Sequence, residues 1–226
     1  MGAFSELVAM VRGGSAPLLN AGNRAVPMLN SRGDFLVAQA LPPKAELVRS
    51  GRSWHASIPT GSAFTTVAGW PTTRGELILS NGEPVSGLSY VIDYVWAAEI
   101  VTETAASFLA LLGQISPAGS VAVATDNANV LRTSLSGRSG SYASNAKLAL
   151  ANTAFGVASK WMVLPNQNAP LGPGAVSIGQ LATANVDGLL IVPPQATLAL
   201  NVVVGTAVAS AGLMGVAWHE VQLDLG

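Results

Sequence analysis

Residues 186–223 read VDGLLIVPPQATLALNVVVGTAVASAGLMGVAWHEVQL, and the spacing predicts three β-strands with turns between them and almost no charge. Thr197 to Val204 decides the matter. Leu198, Leu200, Val202 and Val204 fall on one face, and Thr197, Ala199, Asn201 and Val203 on the other. That period of two marks a strand with a buried side. Pro193-Pro194 stop the preceding strand, because proline lacks the ladder N–H. Gly205 and Gly212 punctuate the stretch beyond it. Leu213 to Leu223 forms a final strand carrying Trp218, His219 and Glu220.

The rest of the chain has the same texture. Of its 226 residues 50% are hydrophobic and only 10% charged, well below the roughly 25% of an ordinary globular domain. So little charge leaves little charged surface, and much of the exterior is expected to lie against other chains. No run approaches the roughly 20 uninterrupted apolar residues of a spanning helix, so no membrane role is expected. A net charge of −1 supplies no excess of Lys and Arg to neutralise phosphates, so no nucleic-acid partner is expected either. With no cysteine there is no disulfide, thiolate or Cys-based metal site. The N-terminus MGAFSELVAMVRGG lacks a positive n-region, and Glu6 both interrupts its apolar run and blocks a myristoylation motif.

Residues 1–33 read as an arm. Ser5 to Val11 allows one or two helical turns. Gly13, Gly14, Pro17, Gly22, Pro27 and Gly33 then prevent any long element. Arg32-Gly33-Asp34 reads as a chance tripeptide in a Gly-rich loop. From residue 34 to 226 short strand candidates alternate with breakers: 34–41, 45–48, 53–58, 63–70 and 76–79. An Asn-Gly hairpin signal comes next at Asn81-Gly82. Leu88 to Thr102 is the longest alternating run. Leu88, Tyr90, Ile92, Tyr94, Trp96, Ala98 and Ile100 are expected on one face, with a bend or bulge near Ala97-Ala98, since about 50 Å is long for one strand. Residues 102–115 suit an amphipathic helix or a return strand, and the preceding β run favours the strand. Further strands are expected at 120–125, 145–151, 157–164 and 175–178, with a weak strand at 129–134 inside a polar loop, 126–142. Residues 165–174 (PNQNAPLGPG) read as a connector. This rhythm predicts an all-β fold, a jelly-roll-like β-sandwich with an extended N-terminal arm.

Chemistry is sparse. His55 and His219 each follow a tryptophan in a strand candidate. A metal centre of the kind some jelly rolls carry needs a fuller ligand set than one His per strand, so two ordinary histidines are expected and no metal. Period two sends His219 and Glu220 to opposite faces. No Gly-x-Ser-x-Gly occurs, and Gly137-Arg138-Ser139-Gly140 has the wrong spacing. Asp126-Asn127-Ala128-Asn129 reads as a turn rather than a calcium loop. Trp54, Trp70, Trp96, Trp161 and Trp218 stand mostly among apolar neighbours, so core or subunit packing is expected over a sugar platform. Neither catalytic nor cofactor-binding residues are expected.

LSYVIDYVWAAEIVTETAASFLALLGQI, taken with GLLIVPPQATLALNVVVGTAVASAGLMGVAWHEV, resembles the jelly-roll structural proteins of tailed-bacteriophage virions. The resemblance is one of pattern over about a third of the chain and carries over no functional residue. It implies a virion component assembled in the host cytoplasm. The composition independently points to a subunit buried among copies, and with what the resemblance implies the expectation is a non-enzymatic virion component such as a capsid-decorating (cement) protein. The expected form is a homotrimer meeting the major capsid protein or other virion proteins. The alternative is a glycan- or receptor-binding domain of a fibre or spike, using the 126–142 loop and an exposed tryptophan.

Overall fold

A computed structural model of the chain describes residues 9–10, 24–25, 44–59, 64–65, 67–99, 110–119, 132–136, 144–152, 160–168, 181–204 and 211–223. Two compact units emerge, Met1–Ser50 and Gly51–Gly226. The expected arm, 1–33, falls within the first. There β1 (Ala9–Met10) pairs antiparallel with β2 (Arg24–Ala25). Residues 45–48, expected as a strand, are instead the start of helix α1 (Ala45–Arg49). Ala, Glu, Leu and Arg are all good helix formers, and among the described residues the short segment has no sheet neighbour to override that preference. The candidate strand at 34–41 lies outside the described residues, as do those at 120–125 and 175–178.

The second unit holds the remaining strands: β3 (Ser53–Ser57), β4 (Phe64–Thr65), β5 (Val67–Ala68), β6 (Gly75–Asn81), β7 (Ser89–Glu99), β8 (Ala110–Ser116), β9 (Arg132–Ser134), β10 (Ala146–Asn152), β11 (Met162–Val163), β12 (Gln167–Asn168), β13 (Leu181–Val192), β14 (Thr197–Val204) and β15 (Ala211–Val221). They form two antiparallel sheets. One runs β10-β6-β14-β8-β11 and the other β12-β13-β7-β15-β3-β9. The short β5 adds a parallel bridge to β14, and β4 pairs with β15. The described residues of this unit are therefore all β, in two antiparallel sheets, as the breaker-rich rhythm predicts. Residues 110–115 are strand; the rest of the ambiguous segment, 102–109, is outside the described residues.

One core fills the space between the sheets. Leu77, Leu79, Leu148, Leu198, Leu200 and Val202 come from one sheet; Tyr90, Ile92, Val95, Met214, Val216 and Trp218 from the other. The inward set of β14 is the face read from the sequence. Its opposite face is also buried: Ala199 joins Ile78, Leu112, Ala149 and Trp161 in a second cluster on the outside of that sheet.

The long strand β7 departs from the expected pattern. Tyr90 and Ile92 point inward, but so do Val95 and Ala97. The alternation slips by one residue at Asp93. Against β15, Tyr94 faces Ala217 and Ile92 faces Trp218, so Asp93 has no opposite number. Against β13, four residues, 186–189, stand opposite that same Asp93. The bulge is at Asp93 rather than near Ala97-Ala98. Tyr94, Trp96 and Ala98 consequently leave the face they were expected to share with Tyr90 and Ile92. An extra residue flips every side chain beyond it. The inserted turn on β13 has Asp187 at φ 48° and Gly188 at φ 84°, the left-handed pair that an Asp-Gly dipeptide supplies readily.

The Asn81-Gly82 signal also resolves differently. Neither residue has a positive φ, so no tight hairpin forms, and β6 and β7 lie in different sheets. Gly82 is required for another reason. A Cβ there would collide with the Asn145 carbonyl oxygen.

Candidate functional site

Two polar clusters stand out, one between the sheets and one on the outer face of the β13-β7-β15-β3 sheet. The first closes one end of the sandwich. Asn81, at the end of β6, is completely buried. Its Nδ2 donates to the Leu88 carbonyl at 2.8 Å and the Val192 carbonyl at 2.9 Å, and its Oδ1 accepts from the Glu83 amide at 3.0 Å. Its backbone pairs with Gln195 and Ala196 in the turn after β13. Asn145 Nδ2 donates to Glu83 Oε1 at 2.8 Å. On β15 the fully buried Glu220 accepts from Ser144 Oγ at 2.5 Å and Trp218 Nε1 at 3.2 Å. A buried carboxylate without donors would be strongly destabilising, and these bonds offset its desolvation. Because Ser144 precedes β10 and Glu220 ends β15, the bond ties one sheet to the other. Spectator polar groups of this kind hold a register; they present nothing to a substrate.

Gln167 plays a similar part at a sheet edge. Its side-chain amide accepts from the Leu111 N–H at 2.9 Å and donates to the Leu111 carbonyl at 2.5 Å. A side chain on β12 thus occupies the edge of β8 beside the short strand β11, one way of blunting an open edge.

The second cluster contains both histidines. His219 faces away from Trp218 and Glu220, as period two requires, and its Nδ1 lies 2.9 Å from Asp93 Oδ2. Both side chains are largely covered, at 12% and 18% exposure. Period two from Ile92 already puts Asp93 on this face; the bulge brings Tyr94 and Trp96 out beside it. Without the extra residue Tyr94 would turn inward and the outward alternation would run on in phase.

Two rows along, Trp96 pairs across β15 with Gly215. A Cβ on Gly215 would fall 2.5 Å from the indole Cε2 and Nε1, so the indole lies directly over the glycine. Trp96 Nε1 points to His55 Nε2 at 3.4 Å, a long hydrogen bond. The two rings are parallel within 6°, their centroids 6.3 Å apart. Both the indole N–H and the imidazole lone pair lie in their ring planes. Parallel rings joined through that bond therefore lie edge to edge, side by side on the sheet, rather than face to face. Burial pushes the His55 pKa below its ordinary 6.5. That favours the neutral ring, and the indole N–H, which can only donate, takes the Nε2 lone pair as its acceptor.

The expected tryptophans divide among four settings. Trp54 and Trp218 are in the main core, and Trp161 is in the outer cluster with its Nε1 donating to the Thr72 carbonyl at 3.0 Å. Trp96 lies flat on the outer face, and Trp70 is 61% exposed. His55 and His219 share one face but are not brought into one ligand set. Among the described residues no three His, Asp or Glu gather as a metal site would need. No helix among them is long and apolar enough to cross a membrane. Residues 32–34, 126–129 and 137–140 lie outside the described residues. The sequence reading missed the Asp93–His219 pair and the Trp96–His55 tray. The tray depends on the bulge, whose one local signal was Asp187-Gly188, and the pair depends on two strands 126 residues apart lying side by side.

Compared with protein-family models, with curated proteins and with solved structures, the chain finds no match.

Proposed function

We propose that this chain is a non-enzymatic structural protein of a virion, a capsid-decorating subunit with a jelly-roll fold that assembles as a homotrimer on the major capsid protein. The observation that carries the reading is a nested pairing. Take β3, β6, β7, β8, β11, β13, β14 and β15 as strands one to eight. First pairs with eighth (β3 with β15), second with seventh (β6 with β14), third with sixth (β7 with β13) and fourth with fifth (β8 with β11). That is one long antiparallel hairpin. Rolling it adds the β15–β7 and β14–β8 pairings and yields two sheets, the route by which a jelly roll is built. In this reading β9, β10 and β12 extend the sheets at their edges.

A charged fraction of 10% supports assembly, since a surface so poor in charge is best covered by copies of itself. Residues 1–33 would act as the arm reaching a neighbour or the shell beneath. The role is mechanical: bridging adds buried area across joints that internal pressure tends to open. The test is mass in solution, with and without residues 1–33, by light scattering. The full chain should run as a trimer of 22.9 kDa subunits, and the arm should resist protease only on the particle. A monomer in both forms would overturn the reading.

A second reading, the receptor-binding domain of a fibre or spike, draws on one observation: Trp70 is 61% exposed beside Pro71. It predicts adhesion to host cells that is lost on Trp70→Ala.

A further inference from the structure

The Trp96–His55 tray has the geometry of a stacking surface. One face of the indole is pressed onto Gly215, and His55 continues the same plane across Ala217, its partner on β15. Both residues remain half-buried rather than enclosed. Short polar side chains ring the tray in the register of the sheet. Ser57 and Thr183 flank the Trp96 row, Thr133 stands opposite His55, and Asn185 lies beyond Tyr94. Asp93 and His219 hold one another at the near end. Among the described strands of this sheet, no outward position carries Lys or Arg. From this arrangement we infer a binding site for a neutral pyranose sugar, whose flat C–H face would stack on the Trp96–His55 tray while its hydroxyls meet the surrounding ring of hydroxyl, amide and carboxylate groups.

The chemistry selects this ligand over others. The face of an indole is electron-rich and attracts the weakly positive axial hydrogens of a pyranose ring. A broad flat surface favours a rigid ring over a flexible chain, which would lose more freedom on binding. Phosphate, sulfate or a uronic acid would meet the Asp93 carboxylate, and no Lys or Arg stands at an outward position of the described strands of this sheet to balance it. The sheet irregularity gives a second reason. Bulges recur where a side chain must be re-aimed. Here two strands adjust around a single position, Asp93, and the slip brings Trp96 out onto the face that carries the carboxylate.

The site is independent of decoration. Failure of sugar binding leaves the trimer test standing, and a monomer that binds sugar removes only the decoration reading. The experiment is saturation-transfer NMR on the full chain with methyl glucoside, methyl galactoside, methyl mannoside and methyl N-acetylglucosaminide. At least one glycoside should receive transfer through the C–H protons of one ring face. Trp96→Ala should abolish that transfer. Trp96→Phe, which keeps a flat ring over Gly215, should weaken binding about tenfold. Val85→Ala, at an exposed position outside the tray, should leave binding unchanged. Thermal melts establish that each variant is folded, and Trp96→Phe carries the test should Trp96→Ala not fold. The inference is overturned if none of the four glycosides shows transfer. Transfer that survives Trp96→Ala, or binding by Trp96→Phe equal to that of the unaltered chain, also overturns it.

Discussion

Replacing Asn81 with Asp changes almost no volume and removes two donors. In the native chain those donors hold the Leu88 carbonyl, just before β7, and the Val192 carbonyl, at the end of β13, both strands of the sheet opposite β6. The substitution leaves both carbonyls without that donor and sets a carboxylate against them. Each buried polar group left unsatisfied costs about 1–3 kcal/mol, and a charged neighbour adds to that. The Val192 bond is buried and the Leu88 bond only partly so. The sum is therefore about 3–5 kcal/mol, a large share of the roughly 5–15 kcal/mol by which domains are stable. Asn81→Ala should lose a similar amount, because it also frees the Glu83 amide. In urea both variants should unfold at lower midpoint with an unchanged slope. On heating they should melt about 6–20 °C below the parent, at roughly 2–4 °C per kcal/mol for a domain of this size. A loss under about 1 kcal/mol for Asn81→Asp, the range of an ordinary surface change, would refute the claim that this side chain ties the sheets together.

Other substitutions test the remaining contacts. Glu220→Gln should lower stability by about 1–3 kcal/mol in urea, because it exchanges one side-chain oxygen for an amide donor in a fully buried setting. Gly215→Val should destabilise the fold by about 1–3 kcal/mol and change tryptophan emission, since its side chain would displace the Trp96 ring. Gln167→Ala should uncover the Leu111 N–H on β8, whose carbonyl keeps its bond from the Leu164 amide, and light scattering should show faster aggregation on warming. His55 has its pKa lowered by burial, so the folded state disfavours its charge. Its contribution to stability is full above the ordinary value of 6.5 and is lost as pH falls from there toward the lowered value. Trp96 and Thr133 face His55, and Asp93, His219 and Tyr94 lie nearby on the same face. A midpoint-versus-pH curve should therefore lose part of its acid slope in His55→Gln, and an unchanged slope would contradict the burial argument.

The site was less legible than the fold. Period two placed His219 and Glu220 on opposite faces because alternation is a local property of extended chain. It could not give His219 its partner, Asp93, which is 126 residues away in sequence. Nor could it show Trp96 and His55 side by side, since a single inserted residue reversed the outward set of β7. The Asn-Gly dipeptide misled for a related reason. Glycine was needed for the approach of Asn145, a strand neighbour far along the chain, and not for a turn.

Residues 186–223 divide the two kinds of information. Three strands, a stop at Pro193-Pro194 and the two faces of β14 came from sequence alone, because backbone geometry fixes side-chain alternation and proline removes a donor. The partners of those strands did not. Consecutive β13 and β14 pair in different sheets, and β15 returns to lie between β7 and β3. Any of these apolar strands could have paired with any other. Burying both inner faces in one core, with Asn81 and Glu220 bonded across it, is a property of the whole chain, and only the tertiary structure decides it.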